Sequence, residues 1–182
     1  MTRYAAFLRG VNVGGVNLKM AAVAQALQAA GFANVQTVLA SGNVLLDSRS
    51  GTATVRKTAE QVLRAEFGYD AWVLAYEIDE VAAISAAYPF DRDVADQHSY
   101  VTFVSNADAL AELTELAEHP GAGEKIKPGN SVIYWQVPRA STLNSTIGKT
   151  MGKKRYKSST TTRNLRTIDK VLRVSADSTG IQ

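Results

Sequence analysis

A loop rich in glycine and asparagine is the first segment of this 182-residue sequence that could do chemistry. Residues 9–18 have the sequence RGVNVGGVNL, and a segment with helical periodicity follows them. Glycine lets backbone N–H groups approach a ligand, and the N-terminus of a helix favours an anion. A phosphate or carboxylate is therefore the expected ligand, and the loop residues expected to bind it are Arg9, Gly10, Asn12, Gly14, Gly15 and Asn17.

The tripeptide Ser41-Gly42-Asn43 has the composition of a hairpin turn between two apolar runs. In a βαββαβ sheet, the end of the first strand and the turn between the second and third strands lie at one edge. We therefore expect Ser41 and Asn43 to lie beside the glycine- and asparagine-rich loop and to share its ligand. The alternative is that these glycines and asparagines only permit the positive φ angles of tight connections.

The C-terminal part of the chain concentrates positive charge. Residues 139–173 contain ten Lys or Arg and one acid, whereas the remainder carries 10 basic and 16 acidic residues. Such a segment favours contact with phosphate groups. The residues predicted to bind nucleic acid are Lys149, Lys153, Lys154, Arg155, Lys157, Arg166 and Lys170. The alternative is a solvated face whose lysines pair with the acidic body of the protein.

The threonines that follow this basic run suggest a phosphate clamp. Residues 160–162 are predicted to cap a C-terminal helix over residues 163–174, and the tail from Ser175 is predicted to be loose. Thr162, Arg163 and Asn164 would then grip a phosphate at the start of that helix. Tyr156, and Trp135 if its strand faces outward, would stack on bases.

Several other chemistries are excluded or poorly supported. The chain has no Cys and two His, so no metal site and no cofactor are predicted. The loop glycines do not have the dinucleotide-binding spacing, and Gly148-Lys149-Thr150 lacks the first glycine of a P-loop because position 143 is Leu. No acid–base pair can be assigned from spacing, so the sequence does not decide whether the protein is an enzyme.

Apolar periodicity divides the first half of the chain into six elements. Strands are predicted at residues 4–8, 35–39, 44–46 and 72–76, and helices at residues 19–30 and 54–67. The order is βαββαβ, which is that of a ferredoxin-like fold. No apolar stretch is long enough to cross a membrane, and the apolar run near the start is too short for a secretory signal. A cytoplasmic protein with no membrane partner is expected.

The second half is predicted to repeat this order. After a short helix at residues 79–87, a strand is predicted at 99–104, a helix at 107–118, a hairpin at 125–136 and a helix at 141–151. The turn sequences SGNVLL at 41–46 and PGNSVI at 128–133 also match. The expected fold is therefore α+β, with two fused ferredoxin-like halves, at residues 1–77 and 78–182, and a C-terminal helix.

Three segments of this sequence resemble a bacterial family called domain of unknown function 1697. They are YAAFLRGVNVGGVN, ASGNVLLDS and TTTRNLRT with the later KVL. The resemblance implies two ferredoxin-like α+β halves and supplies no established activity. It also singles out many of the positions already named, namely Arg9, Gly10, Asn12, Gly14, Gly15, Ser41, Gly42, Asn43, Thr161, Thr162, Arg163 and Asn164.

Three classes of function remain open at this point. The leading hypothesis is a protein that binds nucleic acid, a nucleotide or another phosphate-bearing ligand. An enzyme that acts on a small anionic metabolite, with Arg9 and Arg163 as clamps, is the second. A structural or partner-binding protein that uses free sheet edges is the third, because a fold alone does not define a function. The oligomeric state is not predicted.

Overall fold

A computed structural model describes residues 1–12 and 15–179 of the chain. Within these residues the protein is α+β, with two four-stranded antiparallel sheets and six α-helices. The strands are β1 (Thr2–Arg9), β2 (Ala33–Val38), β3 (Asn43–Ser48), β4 (Trp72–Glu77), β5 (Gln97–Val104), β6 (Lys125–Pro128), β7 (Val132–Pro138) and β8 (Thr160–Asn164). The helices are α1 (Met20–Ala29), α2 (Thr52–Phe67), α3 (Ile78–Ala86), α4 (Ala107–Glu115), α5 (Thr146–Met151) and α6 (Leu165–Thr179).

The first sheet has the strand order β2-β3-β1-β4. Alternate residues of β1, namely Tyr4, Ala6 and Leu8, face a core that Val23 and Leu27 of α1 also enter. This alternation follows from the two-residue period of a strand, whereas the spacing of four in α1 follows from the helical period. Regularly spaced apolar side chains on one face of β1 and of α1 therefore hold the first sheet against this helix.

The second sheet has the strand order β6-β7-β5-β8. Ile133, Trp135 and Val137 alternate along β7 and face a core that receives Leu113 from α4 and Ile147 from α5. The side chain of Asn106 caps α4 by accepting a hydrogen bond from the backbone N–H of Ala109 at 2.9 Å. Each sheet is thus covered on this face by two helices.

The chain forms two compact units, and two helices pass from one unit to the other. The first unit is Met1–Ala82 together with the stretch from Asp169 onward, and the second is Ala83–Ile168. Helix α3 therefore begins in the first unit and ends in the second, and α6 begins in the second and ends in the first. In the described ranges, no helix is both long enough and apolar enough to cross a bilayer.

The structure corrects the prediction for residues 160–179. Thr160–Asn164 form the edge strand β8, which pairs with β5, so the threonines do not cap a helix. Helix α6 starts at Leu165 and continues to Thr179, past the predicted loose tail at Ser175. Arg163 consequently lies on a strand and does not share a helical face with Arg166 and Lys170. Three consecutive β-branched threonines fit a pleated strand, and the hydrogen bonds to β5 decide the outcome.

The helix predicted at residues 141–151 is also shorter in the structure. Residues 139–141 form a turn of 3₁₀-helix, and α5 begins only at Thr146. Leu143 is 84% exposed and does not join Ile147 and Met151 in the core. The Ser145 hydroxyl accepts from the backbone N–H of Gly148 at 3.0 Å, so Ser145 is the N-cap that starts the helix there.

Gly42 combines a left-handed backbone with a close approach, and its substitution is expected to destabilise the first unit. Its φ is +83°, and an added Cβ would lie 3.0 Å from Leu8 Cβ. Gly42→Ala should lose about 1–2 kcal/mol to the left-handed backbone and more to the collision. Gly31→Ala is the matched control, since Gly31 has φ +96° but nothing within 4 Å of the added Cβ. Equal urea-unfolding free energies for the two variants would contradict this account.

Burial of Tyr69 predicts a loss of stability at alkaline pH. Desolvation raises the pKa of Tyr69 from 10.0 to about 12. Between these values the unfolded chain releases the phenol proton and the folded chain retains it, so the stability contribution present below pH 10 is lost as pH rises towards 12. Tyr69→Phe should flatten the dependence of the unfolding free energy on pH in this range.

The same substitution should cost little at pH 7, because Tyr69 Oη is buried without a hydrogen-bond partner among the described residues. Tyr4→Phe is the control, since Tyr4 Oη donates to the carbonyl oxygen of Ser50 at 2.9 Å and its loss should cost about 0.5–1.5 kcal/mol. A pH profile of Tyr69→Phe that matches the parent protein would refute the prediction.

Candidate functional site

The glycine- and asparagine-rich loop and the β2–β3 turn lie together, as predicted. The backbone N–H of Leu8 donates to the carbonyl oxygen of Gly42 at 2.8 Å. The side-chain amide of Asn12 donates to the carbonyl oxygen of Ala40. Because β1 ends where the hairpin turns, the two segments meet at the same edge of the first sheet.

Hydrogen bonds within the protein occupy the two asparagines that tie this edge together. Asn12 has φ +56°, and its Oδ1 accepts from the backbone N–H of Leu18 at 2.9 Å. Asn43 is 0% exposed, and its Nδ2 donates to the carbonyl oxygen of Val38 at 2.8 Å and to Ser41 Oγ at 3.0 Å. Both amides therefore fix the loop and the turn. The positive φ of Asn12 agrees with the structural alternative, whereas Asn43 acts through its buried hydrogen bonds.

The other residues that were predicted to bind a ligand at this edge of the sheet are Arg9, Gly10, Gly14, Gly15, Asn17 and Ser41. Arg9 ends β1 opposite Trp72, and burial lowers the pKa of its guanidinium group. Gly10 and Gly15 have φ of +77° and +90°, values that suit glycine. Asn17 and Ser41 are exposed. Gly14 lies outside the described residues, so its predicted contribution stays a prediction.

The predicted phosphate clamp Thr162-Arg163-Asn164 lies on β8 and uses its polar groups locally. Arg163 is 8% exposed, and its Nη1 donates to Thr161 Oγ1 and to the carbonyl oxygen of Thr162, each at 2.9 Å. Asn164 Oδ1 accepts from the backbone N–H of Arg166 at 2.9 Å, which stabilises the start of α6. Ligand contact by these three residues stays a prediction.

Two aromatic residues that were expected to stack on bases face the core. Trp135 is 2% exposed, and its Nε1 donates to Thr102 Oγ1 at 3.0 Å. The Tyr100 ring stacks on Trp135 with ring centres 4.3 Å apart. Tyr156 is also 2% exposed. The expectation that Tyr156 and Trp135 stack on a base is therefore wrong, because both rings are used to build the second core.

The Tyr156 ring anchors the basic run. Tyr156 Oη donates to Glu112 Oε2 at 2.8 Å and accepts from Arg155 Nη2 at 2.6 Å. Burial of the ring and the hydrogen bond to Glu112 raise the pKa of the Tyr156 phenol. Arg155 also forms an ion pair with Glu112 at 3.0 Å and lies over the Tyr156 ring at 4.7 Å. Arg155 is therefore already paired with neighbouring side chains of the second unit.

Three lysines of the same run are exposed to solvent. Lys149 lies in α5, and Lys153 and Lys154 follow it. The side chains of these three lysines form no ion pair and no hydrogen bond with the part of the chain that the structure describes. We call Lys149, Lys153 and Lys154 the lysine cluster. The lysine cluster therefore agrees with the solvated face of the alternative but not with its pairing to acidic groups, which the structure shows for Arg155.

The backbone that carries the lysine cluster is held firmly. Gly148 has no Cβ, and an added one would lie 2.1 Å from the carbonyl oxygen of Thr142, so only glycine allows the turn to pack on α5. Ile147 and Met151 of α5 enter the second core. The Thr160 hydroxyl donates to the carbonyl oxygen of Tyr156 at 2.9 Å. The lysine side chains therefore extend from a backbone that these contacts hold in place.

The other basic residues of the prediction lie outside this cluster. Lys157 is half-buried, and Arg166 and Lys170 are exposed one turn apart on α6. His98, half-buried on β5, has its Nδ1 3.1 Å from both Thr142 Oγ1 and Tyr100 Oη. No group of three His, Asp or Glu residues in the described ranges lies close enough to hold a metal ion.

Sequence reasoning missed the structural use of Tyr156, Arg163 and the two loop asparagines. A signal was present for Tyr156, since it follows Ile147 and Met151 in a segment whose apolar residues pack inward. No comparable signal existed for Asn43, because its hydrogen bonds depend on the backbone path of the completed hairpin.

These features are those of an α+β protein with two antiparallel sheets and a basic C-terminal region. The sequence profile of the family described as "Protein of unknown function (DUF1697)" matches residues 1–134. The chain belongs to this family.

One solved structure has a similar fold over nearly the whole chain. It is the conserved bacterial protein SP0830 from Streptococcus pneumoniae, with a TM-score of 0.76 and 24% sequence identity. The alignment covers 94% of this chain and 97% of the other. Among curated proteins, none matches this sequence.

The buried amide of Asn43 predicts a stability effect that a ligand residue would not show. Asn43→Ala should destabilise the protein by about 1–3 kcal/mol, because it leaves the Val38 carbonyl oxygen without its donor in a buried site. The exposed Asn17 is the control, and Asn17→Ala should change the unfolding free energy by less than about 0.5 kcal/mol. Thermal and urea unfolding without any ligand measure both effects, and equal stabilities would refute the structural role.

Proposed function

We propose that this protein binds a phosphate-bearing polyanion, a nucleic acid, through the lysine cluster Lys149, Lys153 and Lys154. The observation that carries the proposal is that these three ammonium groups are exposed within six positions of one another and have no ion-pair partner in the described part of the protein. Phosphate groups are the common biological ligand of such a cluster.

The distribution of charge along the chain supports the same proposal. Residues 139–173 are strongly basic and the remainder is acidic, so the positive charge is concentrated in one part of the sequence. A local field steers an extended anion towards one region while the acidic surface repels it elsewhere. Arg166 and Lys170 on α6 add exposed positive charge in the same part of the sequence.

The glycine- and asparagine-rich loop is less available to a ligand than the lysine cluster. The side chains of Asn12 and Asn43 already bond to Leu18, Ala40 and Val38. A ligand would have to compete with those bonds, whereas it would displace only water from the lysine cluster. Binding of a small anion at Arg9, Gly10, Gly14, Gly15, Asn17 and Ser41 is a separate, weaker proposal.

Charge reversal of the lysine cluster should abolish binding. The variant combines Lys149→Glu, Lys153→Glu and Lys154→Glu, and it replaces attraction to phosphates by repulsion. Its control is Lys57→Glu, because Lys57 is an exposed lysine of α2 in the first unit. Fluorescence anisotropy of labelled nucleic acid at 50–200 mM salt measures the affinity, and circular dichroism checks that both variants fold. Unchanged affinity of the folded triple variant would overturn the proposal.

We also propose that the two sheets are ferredoxin-like halves that arose by duplication of residues 1–77 and 78–182. The strand orders β2-β3-β1-β4 and β6-β7-β5-β8 support this, since each sheet has the same permutation of four successive antiparallel strands. In both halves a helix follows the first strand and another follows the third. Repetition of these six elements in one order supports duplication more strongly than one matching turn does.

A further inference from the structure

We infer that His98 positions the first turn of α5, and with it Lys149 of the lysine cluster, through the hydroxyl group of Thr142. The inference rests on the proposed function, because it names a residue outside the lysine cluster that helps to set the affinity of that cluster. The observation that carries it is an unbroken series of contacts from β5 to α5, all of them within the second unit.

His98 connects the second sheet to the segment that precedes α5. The ring is half-buried on β5, and its Nδ1 lies 3.1 Å from Thr142 Oγ1. The same nitrogen lies 3.1 Å from Tyr100 Oη, and the two rings pack edge-on with centres 5.8 Å apart. The Tyr100 ring in turn stacks on the buried Trp135. Aromatic residues of its own sheet therefore orient the imidazole, and Thr142 is the partner that it reaches outside the sheet.

Thr142 contacts the first turn of α5 through its backbone. Its carbonyl oxygen accepts from Ser145 Oγ at 2.8 Å, and Ser145 Oγ accepts from the backbone N–H of Gly148 at 3.0 Å. A Cβ added to Gly148 would lie 2.1 Å from the same carbonyl oxygen, so the two segments pack closely. The next residue is Lys149, whose backbone N–H donates to the carbonyl oxygen of Ser145 at 3.0 Å. A shift of Thr142 therefore moves the backbone that carries Lys149.

Other contacts also hold this part of the chain, so the effect of His98 is expected to be partial. Ile147 enters the second core, and the backbone N–H of Thr146 donates to Glu124 Oε1 at 2.7 Å. The Thr142 hydroxyl also donates to the carbonyl oxygen of Arg139 at 3.4 Å, which is a long hydrogen bond. Loss of the imidazole should therefore loosen the turn without unfolding the helix. A cation on a loosened backbone loses more conformational entropy when it binds, and its affinity falls.

Direct contact between His98 and the polyanion is the alternative, because Nε2 has no hydrogen-bond partner within residues 1–12 and 15–179. A protonated imidazole that bound a phosphate would release one counterion, and its removal would reduce the slope of log affinity against log salt by about 0.9. A positioning residue instead changes the affinity and leaves the number of phosphate contacts, and therefore the slope, unchanged.

The first measurement needs no ligand and compares His98→Ala with His98→Asn, since Asn offers a hydrogen-bonding amide near the position of Nδ1 but carries no charge. Hydrogen exchange of the Gly148 and Lys149 amides, followed by NMR, should be roughly 2- to 10-fold faster in His98→Ala, the range expected for one lost hydrogen bond. The rates in His98→Asn should stay close to those of the parent protein. Thr142→Val removes the hydroxyl and should reproduce the effect of His98→Ala, and the double variant should add nothing further.

The second measurement is fluorescence anisotropy with labelled single-stranded DNA of about 20 bases at 50–200 mM salt. His98→Ala and Thr142→Val should each bind roughly 2- to 10-fold more weakly than the parent protein, with an unchanged salt slope. His98→Asn should bind like the parent protein. The control is His119→Ala, because His119 is an exposed histidine of the same unit that makes none of these contacts. Circular dichroism checks that every variant folds.

The outcomes separate this inference from the proposed function. Unchanged exchange at Gly148 and Lys149 in folded His98→Ala would overturn the inference and leave polyanion binding in place, and so would faster exchange with unchanged affinity. A salt slope reduced by about 0.9 in both His98→Ala and His98→Asn would also overturn it, because it would identify a direct phosphate contact. Failure of the parent protein to bind DNA at 50 mM salt would overturn the proposed function and the inference together. Faster exchange and weaker binding in His98→Ala and Thr142→Val, with rescue in His98→Asn, would support both.

Discussion

The buried Tyr156 ring is the contact on which the arrangement of the basic region depends. Its ring fills the second core, and its hydroxyl connects Glu112 of α4 to Arg155. A basic run of this composition would repel itself and remain extended without such an anchor. Because the ring is buried, the chain before and after it must follow the surface of the core, and the lysine side chains are directed to solvent.

Local patterns were sufficient to predict most of the first unit. The continuous apolar run Tyr4–Leu8 defined β1, and the Ser41-Gly42-Asn43 turn defined the hairpin, because both signals involve neighbours in sequence. The meeting of loop and turn followed from strand order alone. The roles of Asn12 and Asn43 did not follow, since their bonding partners lie 28 and 5 residues away along a backbone path that composition does not specify.

The second unit shows where such reasoning fails. Residues 160–162 suited both a helix cap and a strand, and pairing with β5, about 60 residues earlier, selected the strand. The exposure of Lys149, Lys153 and Lys154 could be predicted, because burial of an unpaired ammonium group is costly. The burial of Tyr156, Trp135 and Arg163 could not, because it depends on which face of a distant strand each one meets.

Helices α3 and α6 each contain residues of both units, and this division affects the order in which the parts of each unit are synthesised. The first unit contains residues from both ends of the chain, since the stretch from Asp169 onward belongs with Met1–Ala82. Ser178, near the end of α6, donates to Gln36 Oε1 of the edge strand β2 at 2.7 Å. On the ribosome, β2 emerges well before this partner has been translated. The first unit therefore has all of its residues only after α6 has been translated, although most of its sheet is made much earlier.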